Sequence, residues 1–113
     1  MESNSSEKNN YYLDVKEKIE LEIIAGTYKS AEKIPSVNEL SQIYDVSFST
    51  AKRAVEALAS EGILTRKQGV GFFVMPLVKT ELLEKHKAKY DKEKRRLLEY
   101  AKKLGLFDDN FPN

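Results

Sequence analysis

Small hydroxyl-bearing and basic side chains cluster near the middle of the chain, at a spacing that suits contact with phosphates or base edges. Ser47, Ser49 and Thr50 carry hydroxyl groups, and Lys52 and Arg53 follow within one helical turn. Hydroxyls beside the free amides of a helix start can hold a phosphate group. Small side chains at that turn can also approach base edges in the major groove of DNA. The cluster therefore predicts a surface that contacts nucleic acid.

A second basic cluster, formed by Arg66 and Lys67, comes directly before a glycine-containing turn. The strand-like runs ILTR and FFVM lie on either side of this turn, and its two glycines indicate a tight hairpin. The hairpin would carry Gln68 and Gly69 at its tip, as a wing beside the hydroxyl-bearing helix. Together the two clusters give residues 47–75 a net charge of +2, whereas the net charge of the whole chain is only +1.

The composition leaves few residues for other kinds of chemistry. The 113 residues are 41% hydrophobic and 33% charged, which is enough for the core of one small domain. Without cysteine and with a single histidine, the chain offers almost no candidates for thiolate metal sites or a histidine-based triad. No apolar run approaches the ~18 residues of a membrane span, and the N-terminus lacks a signal-peptide pattern. We therefore expect a cytoplasmic protein that is not an enzyme and that needs no cofactor or metal.

The apolar pattern predicts a first helix that ends at Gly26. Val15, Ile19 and Ile23 recur at helical spacing, and a glycine is typical of a helix C-terminus. Residues 1–10 contain no apolar residue after the initial methionine, so they cannot bury a hydrophobic face. We expect them to form a disordered tail.

Two short helices joined by a tight turn are predicted to follow a polar loop, TYKSAEK. Ser36 and Glu39 have the spacing of a capping box, and the helix that starts there ends before Asp45. Ser47 can cap the next helix, which Gly62 ends. Two helices in this arrangement, of which the second exposes small polar and basic residues, are typical of a helix-turn-helix.

The last third of the chain predicts a long charged helix. Four apolar residues, which we call the heptad seam, recur every seven positions in it: Leu83, Tyr90, Leu97 and Leu104. The small domain that precedes the helix cannot cover this seam alone, so we expect it to pair with the same helix of a second protomer. Such a dimer would read two half-sites of a two-fold operator. The polar run DKEKRR leaves open whether the helix is continuous.

Three segments in a fixed order carry a family resemblance. IPSVNEL, VSFSTAKRAVEALASEGIL and RKQGVGFFV resemble the winged-helix domain of the GntR family of bacterial transcription regulators. The preceding YLDVKEKIELEIIAG is similar to that family's first helix, and the short C-terminal part resembles its small YtrA-type branch. The resemblance implies a mainly α fold with a small β-hairpin. A winged helix-turn-helix domain would span residues 11–76, and a C-terminal helical dimerisation tail would span residues 77–113.

The resemblance also implies which residues contact double-stranded DNA. Family members use the serine of a Pro-Ser pair, the residue two positions later, the start of the recognition helix, and the wing. In this sequence the corresponding candidates are Ser36, Asn38, Ser47, Phe48, Ser49, Thr50, Lys52, Arg53, Arg66, Lys67, Gln68 and Gly69.

Three positions depart from the family pattern. Asn38, Phe48 and Val70 stand where arginines are usual. An arginine that reads a base contributes roughly 1–3 kcal/mol of discrimination, so we do not expect the family's usual operator. Phe48 would either contact a thymine methyl group or pack against the protein.

The leading hypothesis is a sequence-specific transcription regulator that acts as a homodimer on a palindromic double-stranded DNA operator, and by resemblance a repressor. The alternative is a winged-helix module that binds another protein and has lost DNA readout, since the usual arginines are missing and the first helix is acidic. The resemblance leaves room for a small-molecule effector, which the sequence does not identify.

Overall fold

The computed structural model describes the backbone of residues 4–106 and the side chains of residues 11–106. Within this part of the chain the order of elements is α1 (Asn4–Ala25), α2 (Val37–Ile43), α3 (Phe48–Ser60), β1 (Leu64–Lys67), β2 (Gly71–Val74) and α4 (Val78–Lys103). The chain divides into two compact units, of which the first ends at Thr80 and the second begins at Glu81. The first unit contains α1 to α3, the hairpin and the first three residues of α4, and the rest of α4 belongs to the second unit.

Helix α1 contacts α3 and contributes a buried apolar stripe. Val15, Ile19 and Ile23 are all buried, as their spacing predicts. The helix begins at Asn4, so over residues 4–10 the prediction of a disordered tail is not what the structure has. The physical reason is that extending a formed helix needs no new nucleus and adds a backbone hydrogen bond for each residue fixed. The rest of that predicted tail, residues 1–3, lies outside the described residues.

A left-handed residue reverses the chain between α2 and α3. Asp45 has a φ of 55°, and the amide of Val46 donates a 2.9 Å hydrogen bond to the carbonyl of Ser41. Aspartate tolerates this conformation better than most residues, because its short side chain can bond to the local backbone. Gly62 follows α3 with a φ of 81°, which confirms the predicted helix end. The fully buried face of α3 consists of Ala51, Ala54, Val55 and Leu58.

The two strands form the predicted hairpin. β1 and β2 pair antiparallel, and Leu64 lies opposite Val74 at the base, where both side chains are buried. At the tip Gly69 has a φ of 76°, and the amide of Val70 donates a 2.9 Å hydrogen bond to the carbonyl of Lys67. A residue without Cβ is favoured at such a turn position. The helix-turn-helix and this hairpin make the first unit a winged helix-turn-helix.

The outer edge of β2 is paired as well. Lys33 forms an antiparallel bridge with Phe73, and the amide of Ile34 donates a 2.9 Å hydrogen bond to the carbonyl of Phe72. The end of the predicted polar loop therefore pairs with the outer edge of β2 through an isolated bridge, beside the two-stranded sheet. The difference arises because backbone pairing depends on which segment the fold brings alongside β2, and a polar composition does not prevent it.

Helix α4 is continuous from Val78 to Lys103, so the polar run DKEKRR does not break it. All four residues of the heptad seam are exposed, from 49% for Leu83 to 65% for Leu97. Gly105 has a φ of 76° just after the helix, as expected of a C-terminal glycine. Among the helices that the structure describes, none is both long enough and apolar enough to cross a membrane.

Candidate nucleic-acid interface

The first turn of α3 is organised by the side chain of Ser47. Its Oγ accepts a 3.1 Å hydrogen bond from the amide of Thr50, and its hydroxyl donates to Thr50 Oγ1 at 2.9 Å. Ser49 Oγ lies 3.2 Å from Ser47 Oγ. A serine has one hydroxyl proton, and here Thr50 receives it. Ser49 is therefore the donor to Ser47, and the hydroxyl proton of Thr50 is not used in this network.

Backbone donors lie at the same turn. The first intrahelical hydrogen bond of α3 runs from the amide of Ala51 to the carbonyl of Ser47, at 3.1 Å. The amides of Phe48 and Ser49 precede it and have no intrahelical acceptor. Together with the partial positive charge of a helix N-terminus, these amides favour an anion at the start of α3.

The side chains of this helix start face solvent. Phe48 is 54% exposed, which rules out the core position that was one reading of it. Ser49, Lys52 and Arg53 are exposed, and Thr50 is partly exposed. The hydroxyls and cations that the sequence singled out are therefore accessible, and none is enclosed by the first unit.

Arg53 is held by an aromatic ring of α1. Its Cζ atom lies 4.0 Å from the centroid of the Tyr12 ring. A stacked guanidinium keeps the N–H groups at its edge available to a phosphate or a base. An open groove of about 930 Å³ borders this pair, and its lining includes the three hydroxyl residues Ser47, Ser49 and Thr50.

The start of α2 carries the capping box that its sequence predicts. The amide of Glu39 donates to Ser36 Oγ at 3.1 Å, and the amide of Ser36 donates to Glu39 Oε1 at 2.8 Å. The hydrogen bonds from Ser36, aided by the positive charge of Lys33, hold the pKa of Glu39 below its usual value. Ser36 and Asn38 are both exposed at this end of the helix.

The wing presents its two cations on opposite faces. Arg66 lies opposite Phe72, and its Cζ atom is 5.8 Å from the centroid of that ring. Lys67 alternates to the other face, where its Nζ atom is 4.2 Å from the centroid of the Phe73 ring. The structure thus separates two basic residues that are neighbours in sequence, and it places Gln68 between Lys67 and the glycine of the exposed tip.

Two residues near this surface were missed by the sequence analysis. Tyr12 was not recognised as the partner of Arg53, because the two are far apart in sequence and meet only when α1 packs on α3. Lys33 is the last residue of the predicted polar loop TYKSAEK, yet it pairs with the wing through Phe73. A lysine directly before an Ile-Pro pair gives no pattern that predicts strand pairing.

The described residues contain no group of three or more histidine, cysteine, aspartate or glutamate side chains that could hold a metal ion. The side chains at the surface offer hydrogen bonding, charge and aromatic contact, all of which suit a phosphodiester backbone and base edges.

Comparison with known proteins identifies similar sequences among bacterial regulatory proteins. The sequence profile of the bacterial regulatory proteins of the gntR family matches residues 11–74. The chain is 38% identical over 63 residues to the probable fructoselysine utilization operon transcriptional repressor of Escherichia coli (strain K12), a match that covers 56% of this chain and 26% of that protein. The chain spans about a third or less of the length of the curated relatives that it matches.

Solved structures are similar as well. A GntR family transcriptional regulator from Listeria monocytogenes has a TM-score of 0.67 and 29% identity, over 87% of this chain and 85% of that one. AraR(DBD) in complex with operator ORX1 has a TM-score of 0.54 and 42% identity, over 57% of this chain and 77% of that one. Since the family profile spans more than half of its residues, this chain belongs to the GntR family of bacterial regulatory proteins.

Proposed function

We propose that this protein is a transcription regulator that binds a double-stranded DNA operator through the start of α3, the start of α2 and the wing. The observation that carries the proposal is the exposed first turn of α3. It combines amides without intrahelical acceptors, the hydroxyl proton of Thr50, and the cations of Lys52 and Arg53. A similar domain, AraR(DBD), is known in complex with operator DNA.

Each group has a distinct proposed role. Ser47, Ser49 and the first amides of α3 hold a phosphate and set the register of the helix in the major groove. Lys52 and Arg53 contact phosphate or guanine, and Phe48 contacts a thymine methyl group. The operator differs from the family's usual one, because Asn38 and Phe48 cannot make the bidentate contacts of arginine.

Secondary contacts come from α2 and the wing. Ser36 and Asn38 reach the DNA backbone from the start of α2, and Arg66 reaches it from one face of the wing. Gln68 and Gly69 bring the hairpin tip close to the backbone, since the tip glycine adds no side chain. Contacts of this kind set orientation and add to affinity without reading sequence.

The protein acts as a homodimer in this proposal, joined through the heptad seam of residues 77–113. Leu83, Tyr90 and Leu97 lie on one continuous helix and Leu104 directly follows its last residue; all four are exposed at seven-residue spacing, as a paired helix requires. A two-fold dimer reads a palindromic operator, and the second half-site then binds at a high effective concentration. Repression is the proposed outcome, because one of the similar proteins is named a repressor.

Operator selection tests the proposal. The full chain is used to select duplexes from a random pool, and binding to the selected duplex is then followed by fluorescence anisotropy at several salt concentrations. We expect an inverted repeat to be enriched, and we expect K52A and R66A to weaken binding several-fold. K29A, which removes a charge from an exposed loop residue, serves as the matched control. Failure to enrich any sequence, with the dimer intact, would favour the protein-interaction module instead.

A further inference from the structure

We propose that Lys33 and Lys67 form one phosphate-binding site on the outer face of the wing, across Gly71. The ligand is a DNA backbone phosphodiester, so the inference rests on the function proposed above and adds a contact to it. Lys67 and Gly71 belong to the same wing segment, RKQGVGFFV, whereas no sequence motif joins Lys33 to them. They meet because the segment before α2 pairs with β2.

The pairing register places both lysines on the same face of the hairpin. Lys67 is directly opposite Gly71, and directly opposite residues of an antiparallel pair share a face. Phe73 is two residues further along β2 and therefore shares that face too, and Lys33 is the bridge partner of Phe73. The buried pair Leu64 and Val74 alternates to the other face, so the lysine face is the outer one.

The absence of a side chain at Gly71 leaves room for the aliphatic stem of Lys33. A Cβ built on Gly71 would lie 2.8 Å from Lys33 Cε, so the lysine side chain occupies the space that any other residue would fill. Gly71 itself has a φ of 145°, which side-chain-bearing residues rarely adopt.

An aromatic contact holds the Lys67 cation on this face. The Nζ atom of Lys67 is 4.2 Å from the centroid of the Phe73 ring, in cation–π geometry. The charge of Lys33 also acts on Glu39 at the start of α2.

The test compares charge-removing variants on a fluorescein-labelled duplex of mixed sequence and on the selected operator. K33M keeps the aliphatic stem over Gly71 and removes the charge, K33R keeps the charge, and K29M removes a lysine from the exposed loop at the base of the hairpin. We expect K33M to weaken binding several-fold and to lower the slope of log affinity against log salt by about 1 for each wing in contact. K33R should bind like the wild type, and K29M should change the slope little.

The double variant K33M/K67M tells whether the lysines share a ligand. If they hold the same phosphate, the second substitution should cost less in affinity than it does alone. Wild-type affinity and salt slope in K33M would overturn the inference while leaving operator binding intact. Failure of the wild type to bind either duplex would overturn the proposed function instead. If thermal melting shows that K33M does not fold, K67M alone carries the same comparison with K29M.

Discussion

The first unit and residues 83–106 differ in how far their regularly spaced apolar residues are buried. In the first unit, side chains at helical spacing on α1 and α3 are buried, and Ile19 and Leu58 have no exposed surface at all. In residues 83–106 no side chain is buried, although leucine and tyrosine recur there at regular intervals. The regularly spaced apolar residues of the first unit are therefore buried, whereas the four residues of the heptad seam are exposed.

Because of this difference, residues that stabilise the fold of one chain can be distinguished from residues that would stabilise an assembly of two chains. Burial of an apolar side chain within one chain stabilises that chain whatever its concentration. Burial between two chains stabilises them only when the protomer concentration exceeds the dissociation constant. Substitutions in the two units should thus be distinguished by whether their effect depends on concentration.

The largest expected effect is on the core of the first unit. Leu58→Ala should lower the free energy of unfolding by about 2–5 kcal/mol, because it removes a fully buried side chain and leaves a cavity. Leu97→Ala makes the same chemical change at a 65% exposed position of the seam. Its effect on thermal or denaturant unfolding should grow with protein concentration. Equal, concentration-independent losses in the two variants would contradict the distinction between the units.

A charged residue in the heptad seam should weaken the proposed dimer. Leu97→Glu is expected to raise the dissociation constant of the dimer by about tenfold or more, which corresponds to about 1.4 kcal/mol, because two acids would meet where two leucines pack. Sedimentation equilibrium measures the change. Arg95→Glu introduces the same residue on the opposite side of α4 and should have a much smaller effect. Dimerisation that is unaffected by Leu97→Glu would place the interface elsewhere.

A cap substitution tests whether the binding surface also stabilises the first unit. Ser47→Ala removes the acceptor of the Thr50 amide and should cost about 0.5–2 kcal/mol of folding stability. It should also weaken DNA binding, since the hydroxyl network of the first turn is lost. Ser60→Ala deletes a hydroxyl that bonds to the carbonyl of Ala57 at the far end of α3, and it should leave DNA binding unchanged. A similar loss of binding in both variants would show a general weakening of α3.

The smallest expected effect is a pH dependence at the start of α2. The pKa of Glu39 is lowered in the folded state, so the carboxylate stabilises the fold fully at pH values above the usual 4.5. That contribution is lost as the pH falls through the lowered folded pKa. Glu39→Gln should therefore lose less stability than the wild type over this acidic range in denaturant titrations. Glu56→Gln, at an exposed position on α3, is the control and should follow the wild type.

Local patterns were enough to predict the helices and the hairpin. The Ser36–Glu39 spacing, the serine before α3 and the glycines after α3 and α4 act through bonds and φ angles within a few residues. Such features depend on little beyond the neighbouring chain, so their sequence patterns are reliable. The exposure of the hydroxyl-bearing and basic residues after Val46 is also predictable from the local sequence. These residues lie on the side of α3 opposite its buried alanines.

The tertiary structure alone decided which distant residues meet. Tyr12 stacks on Arg53, and Lys33 crosses Gly71 beside Phe73, because packing and strand register bring separate segments together. The opposite faces of Arg66 and Lys67 likewise follow from the pleat of a paired strand. A change of register by one residue would exchange those faces. Composition and spacing do not predict the register of a pairing between distant segments, such as that of Lys33 with Phe73.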